Sequence, residues 1–494
     1  MPKRSDGMMK AVDIGSRLEL LVDDSLIASM TGGAELRQHH PVPQEVAIVH
    51  DEAWEGSGGN YHSIFQDGNV YRMYYHGWQL SVSEGKLDLP HELVTCYAES
   101  DDGIHWRKPE LGLFEFNGSK KNNIVLVSGE MGAVKICAGH IAMFKDENPN
   151  CAHEALYKAM IFSPNPHGLL PFKSPDGIHW SPMSDTPVIT RGDFDSQNLA
   201  FWDTVRNEYR AYFRYFTGGT MGDGLRDIRT ATSDDFLHWS DPVDLQYPGA
   251  PPEQLYTNQI KPYHRAPHIF IGFPARYVER GWSDSMRALP DLEHRQLRSS
   301  AQDRYGMALT EGLMMTSRDG VNFKRWGEAF LRPGPERPGT WHYGHQYIGW
   351  HLVETEPSVA GAPRELSLFA TEDYWTGTSS QLRRYALRMD GFVSVNAPLS
   401  GGEFVTKPLI FDGSELLLNF STSAAGSIRM EIQDAAGAPL PGFDLEDCPE
   451  VFGDSIEREV RWKNPASLHS LSGKPVRLRI HLRDADLYAL RFAL

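Results

Sequence analysis

A seven-residue phrase with the pattern Ser-x-Asp-Gly-x-x-aromatic recurs along the chain. Two full copies occupy residues 100–106 and 174–180, and two degraded copies occupy residues 233–239 and 317–323. In each copy we expect a tight hairpin turn, in which the Asp carboxylate accepts backbone N–H bonds, the Gly adopts a positive φ and the aromatic side chain packs against the next layer. The spacing between copies is unequal, so one unit repeats with variable insertions. Repeats of this size made of short strands are typical of a β-propeller.

Strand-like segments rich in aromatic and β-branched residues dominate the first four hundred residues. They divide into five units near residues 50–130, 131–190, 191–245, 250–332 and 340–398. Closing a ring removes open sheet edges, and we expect Leu18–Asp24 to supply the strand that closes it with the last unit. A short helix is expected over residues 291–300, in an arginine-rich excursion that leaves the fourth unit.

The composition changes after about Ser400, where separate alternating strands are joined by Gly, Pro and Asp turns. A segment of this size and pattern is typical of a small β-sandwich. We therefore predict an all-β protein with a five-bladed β-propeller over residues 1–399, followed by a C-terminal β-sandwich over residues 400–494.

The formal net charge of −17 argues against nucleic acid as a partner, because nucleic-acid binding needs clustered Lys and Arg. The charge fits a neutral or cationic small substrate, although solubility alone is the favoured explanation of the net charge taken by itself. The four cysteines form no CxxC pair and no disulfide framework. Residues 1–7 are followed by no apolar stretch, and no long apolar run is typical of a membrane span. We therefore expect a cytoplasmic protein without a membrane partner.

A propeller brings the starts of its innermost strands to one mouth, so acidic residues near those starts are the candidates for catalysis. Asp51 and Glu55 precede the first such strand, Asp146 follows an apolar run in the second unit, and Asp195 precedes the strand of the third. Three carboxylates in successive units match the needs of a glycosidase, which uses a nucleophile or base, an acid and a charge-stabilising group. Turn capping is the alternative explanation for each Asp taken alone.

In these features the chain resembles the five-bladed β-propeller glycoside hydrolases, the group that contains invertases, levanases, arabinanases and β-xylosidases. Residues 144–149, Phe-Lys-Asp-Glu-Asn-Pro, are similar to the Arg-Asp-Pro phrase of the β-fructosidase branch, and the resemblance implies that Asp146 is the transition-state stabiliser. The nucleophile phrase Trp-Met-Asn-Asp-Pro-Asn is absent, which leaves Asp51 or Glu55, with Asp24 as an alternative. The Glu-Cys acid/base phrase is absent too, and Asp195 takes that position. The chain is thus similar to a divergent member of the group.

Further polar and aromatic residues lie where they would contact a sugar. The candidates for substrate binding are Trp54, Asn198, Arg214, Tyr256, Asn258, Arg276 and His345. His345 could also ligate a metal or water at the channel axis, and a hydrogen-bonded structural histidine is the alternative. No cofactor is required by this prediction, and a channel metal ion or a structural calcium is left open.

We therefore predict a glycosidase acting on a small carbohydrate. The alternatives are a carbohydrate-binding propeller without turnover, and a glycoside phosphorylase or a lyase. A phosphorylase needs a cationic cluster for phosphate, which Arg214, Arg276 and His345 would supply. Exposed sheet edges and the arginine-rich excursion also favour a homo-oligomer.

Overall fold

The computed structural model describes residues 10–83, 85–463 and 467–494. Residues 1–7, on which the expectation of no secretory signal rests, lie outside these ranges. Within them the chain is nearly all-β, with 36 strands and three α-helices, and this confirms the predicted class. None of the helices in these ranges is long and apolar enough to cross a membrane.

The elements are numbered in chain order. The N-terminal strands are β1 (Val12–Gly15), β2 (Glu19–Leu20), β3 (Ile27–Thr31) and β4 (Glu35–Gln38). The next twelve strands are β5 (Val42–His50), β6 (Asn60–Asp67), β7 (Val70–Gly77), β8 (Ser81–Ser83), β9 (Lys86–Asp88), β10 (Val94–Ser100), β11 (Ile124–Val127), β12 (Gly129–Met131), β13 (Val134–Lys145), β14 (Tyr157–Asn165), β15 (His167–Ser174) and β16 (Ser181–Pro182).

A second group of elements contains all three helices. In order, it comprises β17 (Leu199–Asp203), β18 (Glu208–Phe216), β19 (Arg226–Ser233), β20 (Val243–Asp244), β21 (Gln254–Leu255), β22 (Lys261–Tyr263), β23 (Ala266–Gly272), β24 (Ala275–Glu279), α1 (Asp284–Ala288), α2 (Leu292–Ala301), α3 (Arg304–Met307), β25 (Ala308–Gly312), β26 (Met315–Ser317), β27 (Lys324–Arg325), β28 (Val353–Thr355), β29 (Glu365–Glu372) and β30 (Ser380–Arg388). The last strands are β31 (Val393–Ala397), β32 (Gly402–Thr406), β33 (Leu409–Phe411), β34 (Glu415–Asp434), β35 (Asp454–Glu459) and β36 (Val476–Ala493). Helix α2 confirms the helix expected over residues 291–300.

The chain forms two compact units, and their boundaries differ from the predicted ones. The central unit is Pro41–Leu387, and the terminal unit combines residues 10–40 with Arg388–Leu494. The early residues join the C-terminal ones because β1 pairs with β33, β2 with β36, β3 with β32 and β4 with β31. The expectation that Leu18–Asp24 closes a ring was therefore wrong, since β2 belongs to the terminal unit.

The terminal unit is built on one ten-stranded sheet. Its two longest strands, β34 and β36, pair antiparallel from Glu415 opposite Ala493 to Asp434 opposite Val476. Alternate residues along much of these strands are buried in one apolar core, among them Leu418, Met430 and Ile480. This alternation of buried and exposed residues is the period-2 pattern that the sequence showed.

The central unit contains five antiparallel sheets of four or five strands that follow one another along the chain, besides the three-stranded sheet β21-β24-β25 and the hairpin β8-β9. The five sheets have the strand orders β6-β7-β10-β11, β12-β13-β14-β15-β16, β17-β18-β19-β20, β22-β23-β26-β27 and β28-β29-β30-β5. In the fifth sheet, β30 pairs with β5 from Ser380 opposite His50 to Ala386 opposite Val42. The first strand of the central unit thus completes its last sheet.

The recurring turn phrase forms the expected structure in all four copies. In the first copy, Asp102 Oδ1 accepts the N–H groups of Ile104 and His105 at 2.8 Å each, and Gly103 has a φ of 77°. Ser100 Oγ accepts the Gly103 N–H at 2.9 Å. The third copy replaces Gly with Phe236, which keeps the positive φ at 70°. The Asp side chain therefore fixes a left-handed turn that even a bulky residue adopts.

These turns also join each sheet to the preceding one. The Tyr74 hydroxyl of the first sheet donates to the Gly177 carbonyl in the second sheet's turn at 2.9 Å. The Tyr212 hydroxyl of the third sheet donates likewise to the Gly320 carbonyl of the fourth at 2.8 Å. Phe236, in the turn of the third sheet, packs edge-on against Phe144 of the second.

Two buried glutamines connect the first strands of neighbouring sheets. Gln197 Nε2 donates to the carbonyls of Tyr61 and Ile141 at 2.9 and 3.4 Å. Gln259 Nε2 donates to Gln197 Oε1 and to the carbonyl of Ile348, both at 2.8 Å. The two amide groups thus satisfy backbone carbonyls of other sheets and of the segment before β28.

Candidate functional site

Tyrosines gather where the first strands of three sheets begin. The tyrosine cluster consists of Tyr61, Tyr256, Tyr343, Tyr347 and Tyr374, all buried. The rings of Tyr61 and Tyr347 stack at 6.3 Å between centroids, and those of Tyr256 and Tyr347 at 5.4 Å. The insertion between β24 and β25, which holds α1–α3, contributes Tyr305 to the same group of aromatic rings.

The hydroxyl of Tyr343 donates to that of Tyr256 at 2.6 Å. Two guanidinium groups, of Arg214 and Arg226, lie 5.3 Å each from the centre of the Tyr256 ring. A third, of Arg304, lies 5.4 Å from the Tyr343 ring and 3.5 Å from its hydroxyl. Tyr256 is thus a buried phenol beside three cations.

This environment sets Tyr256 apart from the other tyrosines. Burial, which raises the pKa of a phenol, is outweighed at Tyr256 by the charges of Arg214 and Arg304 and by the hydrogen bond from Tyr343, so its pKa is lowered. Burial raises the pKa of Tyr343 and Tyr374 well above the usual value. A lowered pKa makes this phenol a stronger acid than an ordinary tyrosine, as proton donation to a leaving group requires.

Asp195 places a carboxylate beside this group. It forms an ion pair with Arg214, whose side chain is only 3% exposed, whereas 39% of the Asp195 side chain is exposed. The next residue, Ser196, donates its hydroxyl to the Tyr256 carbonyl at 2.8 Å. Arg214 therefore contacts both the carboxylate and the Tyr256 ring, while part of the Asp195 side chain remains accessible to solvent.

Two neutral histidines border the cluster. The rings of Tyr61 and His140 are 5.8 Å apart, and those of Tyr61 and His76 are 5.5 Å apart. Burial lowers the pKa of His140 to about 3 and that of His76 to about 4. Both imidazoles are therefore uncharged at neutral pH and add no positive charge to that of the arginines.

Glu55 is fully buried in an ion pair of its own. Its carboxylate accepts hydrogen bonds from Lys108 Nζ at 2.7 Å, from the Tyr75 hydroxyl at 2.5 Å and from the Glu52 N–H at 3.0 Å. Burial raises its pKa, against the opposing effect of Lys108. Asp51 is largely exposed and reaches the same Lys108 at 3.2 Å.

Asp146 directly follows the C-terminal end of β13, on the opposite side of an inter-strand bridge from Asp195. Its carboxylate is fully buried, pairs with Lys158, and accepts a hydrogen bond from the Tyr209 hydroxyl at 2.7 Å. Ile141 and Asn198 form a parallel bridge, so Asp146 follows the bridge and Asp195 precedes it. Glu55 and Asp146 are thus held by separate lysines, Lys108 and Lys158, whereas Asp195 pairs with Arg214.

Of the expected substrate-binding residues, Tyr256 belongs to the tyrosine cluster and Arg214 contacts its ring. The indole of Trp54 donates to Asn123 Oδ1 at 2.8 Å, and Asn198 Nδ2 donates to the carbonyl of His140 at 2.9 Å. Arg276 is held between Glu253 and Glu311 at 2.9 and 2.6 Å, away from the cluster.

The remaining candidates make local contacts. Asn258 is buried, and its Oδ1 accepts the Ile260 N–H at 3.4 Å. His345 is buried, accepts the Trp341 N–H at 3.0 Å, and burial lowers its pKa to about 3. Asp24, the alternative nucleophile, is an exposed residue of the terminal unit.

Sequence reasoning missed Arg226, Arg304 and Tyr343 as members of the site. Tyr343 lies in the segment Trp-His-Tyr-Gly-His-Gln near the start of the fifth unit, and this position is the signal that could have found it. Across the described ranges, no group of three or more His, Cys, Asp or Glu is arranged to hold a metal ion.

A separate cavity of about 350 Å³ lies near the opposite ends of the first strands. Its walls include Gln66, Lys261, His351 and Glu354. Glu354 is already paired with His264 at 2.8 Å. The cavity lies on the Asp146 side of the inter-strand bridge, and the tyrosine cluster does not line it.

No protein-family model matches the chain. Two uncharacterized proteins from Mycobacterium tuberculosis, one from strain CDC 1551 / Oshkosh and one from strain H37Rv, are each 42% identical over 60 residues, which are 12% of this chain and 19% of each relative. The chain thus spans about a fifth of the length of the curated relatives that it matches.

Several solved structures align with most of the chain at low identity. A glycoside hydrolase covers 70% of this chain and 92% of its own length, at 13% identity and a TM-score of 0.42. An N-acetylgalactosamine deacetylase from F. plautii covers 72% and 96%, at 13% identity and a TM-score of 0.42. An endo-arabinase from Bacteroides thetaiotaomicron covers 72% and 98%, at 11% identity and a TM-score of 0.38. Similarity at this level assigns no activity to the chain.

Proposed function

We propose that the central unit is a five-bladed β-propeller that cleaves a glycosidic bond at the end occupied by the tyrosine cluster, and that the terminal unit is a β-sandwich. Three features support the propeller: five sheets in series, turns that contact the preceding sheet, and closure of the last sheet by β5. The linked amide groups of Gln197 and Gln259 support a common axis for the five first strands.

One observation carries the proposed chemistry: Arg214 joins the partly exposed carboxylate of Asp195 to the phenol of Tyr256. In hydrolysis, Asp195 would act as general base. It takes a proton from a water molecule whose oxygen attacks the anomeric carbon. Tyr256 would act as general acid and donate its hydroxyl proton to the departing glycosidic oxygen. The resulting phenolate is stabilised by Arg214, Arg226 and Arg304.

This assignment replaces the two-carboxylate arrangement expected from the sequence. Glu55 and Asp146 are saturated by lysine and tyrosine partners, so neither is free to face a sugar. A general acid protonates the leaving group best when its pKa is close to the working pH. Lowering the pKa of a phenol and raising the pKa of a carboxyl group, as glycosidases with two carboxylates do, both move the acid in that direction.

A lyase is the second candidate, and the Tyr256–arginine contact favours it. In β-elimination a phenolate removes the proton from the carbon next to a carboxylate, and guanidinium groups neutralise the charge that develops there. The bond from the adjacent carbon to the glycosidic oxygen then breaks, and the departing oxygen takes up a proton from water. Hydrolysis adds water and yields a new reducing end, whereas elimination yields a carbon–carbon double bond conjugated to the carboxylate, which absorbs ultraviolet light.

The test is a screen of aryl glycosides and oligosaccharides, furanosides included, with and without phosphate. We expect Asp195→Asn and Tyr256→Phe each to lower kcat by about 10²–10⁴-fold on any cleaved substrate. Asp244→Asn is the matched control, since Asp244 pairs with Arg229 in the same sheet and its side chain is 41% exposed. Sugar binding without turnover across the screen would refute catalysis and leave a carbohydrate-binding propeller. Product formation that requires phosphate would indicate a phosphorylase.

A further inference from the structure

Three arginines at the tyrosine cluster have more positive charge than the surrounding carboxylates balance. Within the described part of the chain, Arg214 pairs with Asp195, whereas Arg226 and Arg304 form no ion pair. Arg226 contacts the Gln254 amide oxygen and the Tyr277 ring, 4.5 Å from its guanidinium carbon. The carboxylate of Glu279 accepts a hydrogen bond from the hydroxyl of the same Tyr277 at 2.7 Å.

Some donors of these arginines are buried without a protein acceptor. The Nε groups of Arg214 and Arg226 are shielded from solvent and lack a hydrogen-bond partner among the residues that the structure describes. Arg214 is almost completely buried, because only 3% of its side chain is exposed. A buried guanidinium donor without an acceptor is costly, and a bound anion is the ligand that compensates it.

A fourth buried arginine contributes to the same excess. Arg298 of helix α2 lies with its guanidinium carbon 5.3 Å from the Trp375 ring, and its Nε and Nη2 have no partner within the described ranges. Its Nη1 is 3.4 Å from His342 Nδ1, and burial lowers the pKa of that histidine to about 3. His342 is therefore neutral and does not repel an anion near neutral pH.

We propose that the tyrosine–arginine site binds a sugar that carries a carboxylate, that is, an acidic sugar of the uronate class, with Arg226 and Arg304 as the recognition residues. This inference rests on the proposed function, because it places the carboxylate beside the bond that Tyr256 and Asp195 act on. Arg226 lies over the Tyr256 ring and Arg304 over the Tyr343 ring, and the hydroxyls of these two tyrosines are hydrogen-bonded, so the two guanidinium groups flank one site. The chain's net charge of −17 is compatible with this local positive site, since local charge and not net charge governs a cleft.

Free monosaccharides provide a test that does not depend on turnover, since they contain no glycosidic bond to a second residue. Isothermal titration calorimetry on the full chain would compare D-glucuronate with D-glucose, D-galacturonate with D-galactose, and inorganic phosphate. We expect at least one uronate to bind about tenfold or more tightly than its neutral counterpart. A uronate can bind even if no substrate is cleaved, and a substrate can be cleaved even if no uronate is preferred. The proposed uronate preference and the proposed cleavage are therefore refuted by different results.

Variants then locate the preference. Arg226→Gln and Arg304→Gln should each lower the ratio of uronate affinity to neutral-sugar affinity about tenfold, whereas Arg226→Lys should retain part of the preference. Arg229→Gln is the control, since Arg229 lies on the same strand but pairs with Asp244 at 2.6 Å. Equal binding of uronates and neutral sugars by the native protein would overturn the proposal, as would an unchanged preference in both Gln variants. Tighter binding of phosphate than of either uronate would also overturn it and assign the arginines to a phosphate co-substrate.

Discussion

Replacing Asp146 by Asn distinguishes a structural from a catalytic carboxylate. Lys158 is 5% exposed and would remain buried without its counter-ion. Removing one member of a buried pair costs about 3–5 kcal/mol. Lys158 keeps the Ala155 carbonyl at 3.1 Å and the Tyr209 ring at 5.5 Å. We therefore expect a loss of about 3 kcal/mol, at the lower end of that range.

Urea unfolding followed by tryptophan fluorescence measures this loss in the central unit, because every tryptophan except Trp462 lies in it. With a slope of about 3 kcal/mol per molar urea, the midpoint should fall by about 1 M. Asp241→Asn is the control, since Asp241 pairs with Arg191 at the surface and exposed pairs contribute about 0–1 kcal/mol. Adding Lys158→Met to Asp146→Asn should restore most of the stability, because it removes the unpaired charge.

A loss for Asp146→Asn no larger than that for Asp241→Asn would refute the argument that this pair holds the fold. Turnover supplies an independent check. If the folded Asp146→Asn variant lost kcat by the factor expected for Asp195→Asn while its urea midpoint stayed unchanged, Asp146 would be the transition-state stabiliser that the sequence resemblance implied.

Further predictions concern pH and backbone strain. Burial lowers the pKa of His62, His140 and His345 to about 3, below the unfolded value of about 6.5, so the unfolded state binds more protons between these values. Their stabilising contribution is complete above pH 6.5 and is lost as the pH falls towards 3, by up to about 1.4 kcal/mol per pH unit for each histidine. His345→Gln should reduce the slope of the free energy of unfolding in urea against pH by the equivalent of one proton. A slope near zero for the native protein would contradict this prediction. Gly320→Ala should destabilise the protein by about 1–3 kcal/mol, because φ is 79° and the new Cβ would lie 2.8 Å from Arg210 Nη1. Gly327→Ala, whose Cβ would meet nothing within 4 Å, should change the urea midpoint little, and equal effects of the two substitutions would disprove the strain argument.

The parts of the fold that depend on local chemistry could be predicted from the sequence. Each turn is fixed by hydrogen bonds between residues two or three apart, so the roles of Asp102 and Gly103 can be read from the sequence itself. The strand that closes the last sheet was misplaced because Leu18–Asp24 and Val42–His50 both contain apolar residues typical of strands. Only pairing with β30, which lies far along the chain, distinguishes them.

The site was harder to predict because its partners are far apart in the sequence. The sequence gives no sign that Glu55 is paired, because no pattern connects it with Lys108. In the fold, Lys108 Nζ lies 2.7 Å from the Glu55 carboxylate. Tyr256 and Tyr343 are 87 residues apart, yet their hydroxyls are hydrogen-bonded. Asp195 and Arg214 were found because both lie in the third unit, where the hairpin of β17 and β18 keeps them close.

The pairing of β4 with β31 has a consequence for how the protein folds during synthesis. His39 donates its N–H to the Phe392 carbonyl at 2.9 Å, so the whole central unit is an insertion in the turn of one hairpin. The ribosome finishes Pro41–Leu387 before it makes any partner for residues 10–40, and the emerging N-terminal strands must wait unpaired until the last hundred residues appear. Truncation of the C-terminus therefore leaves those early strands without a sheet to join.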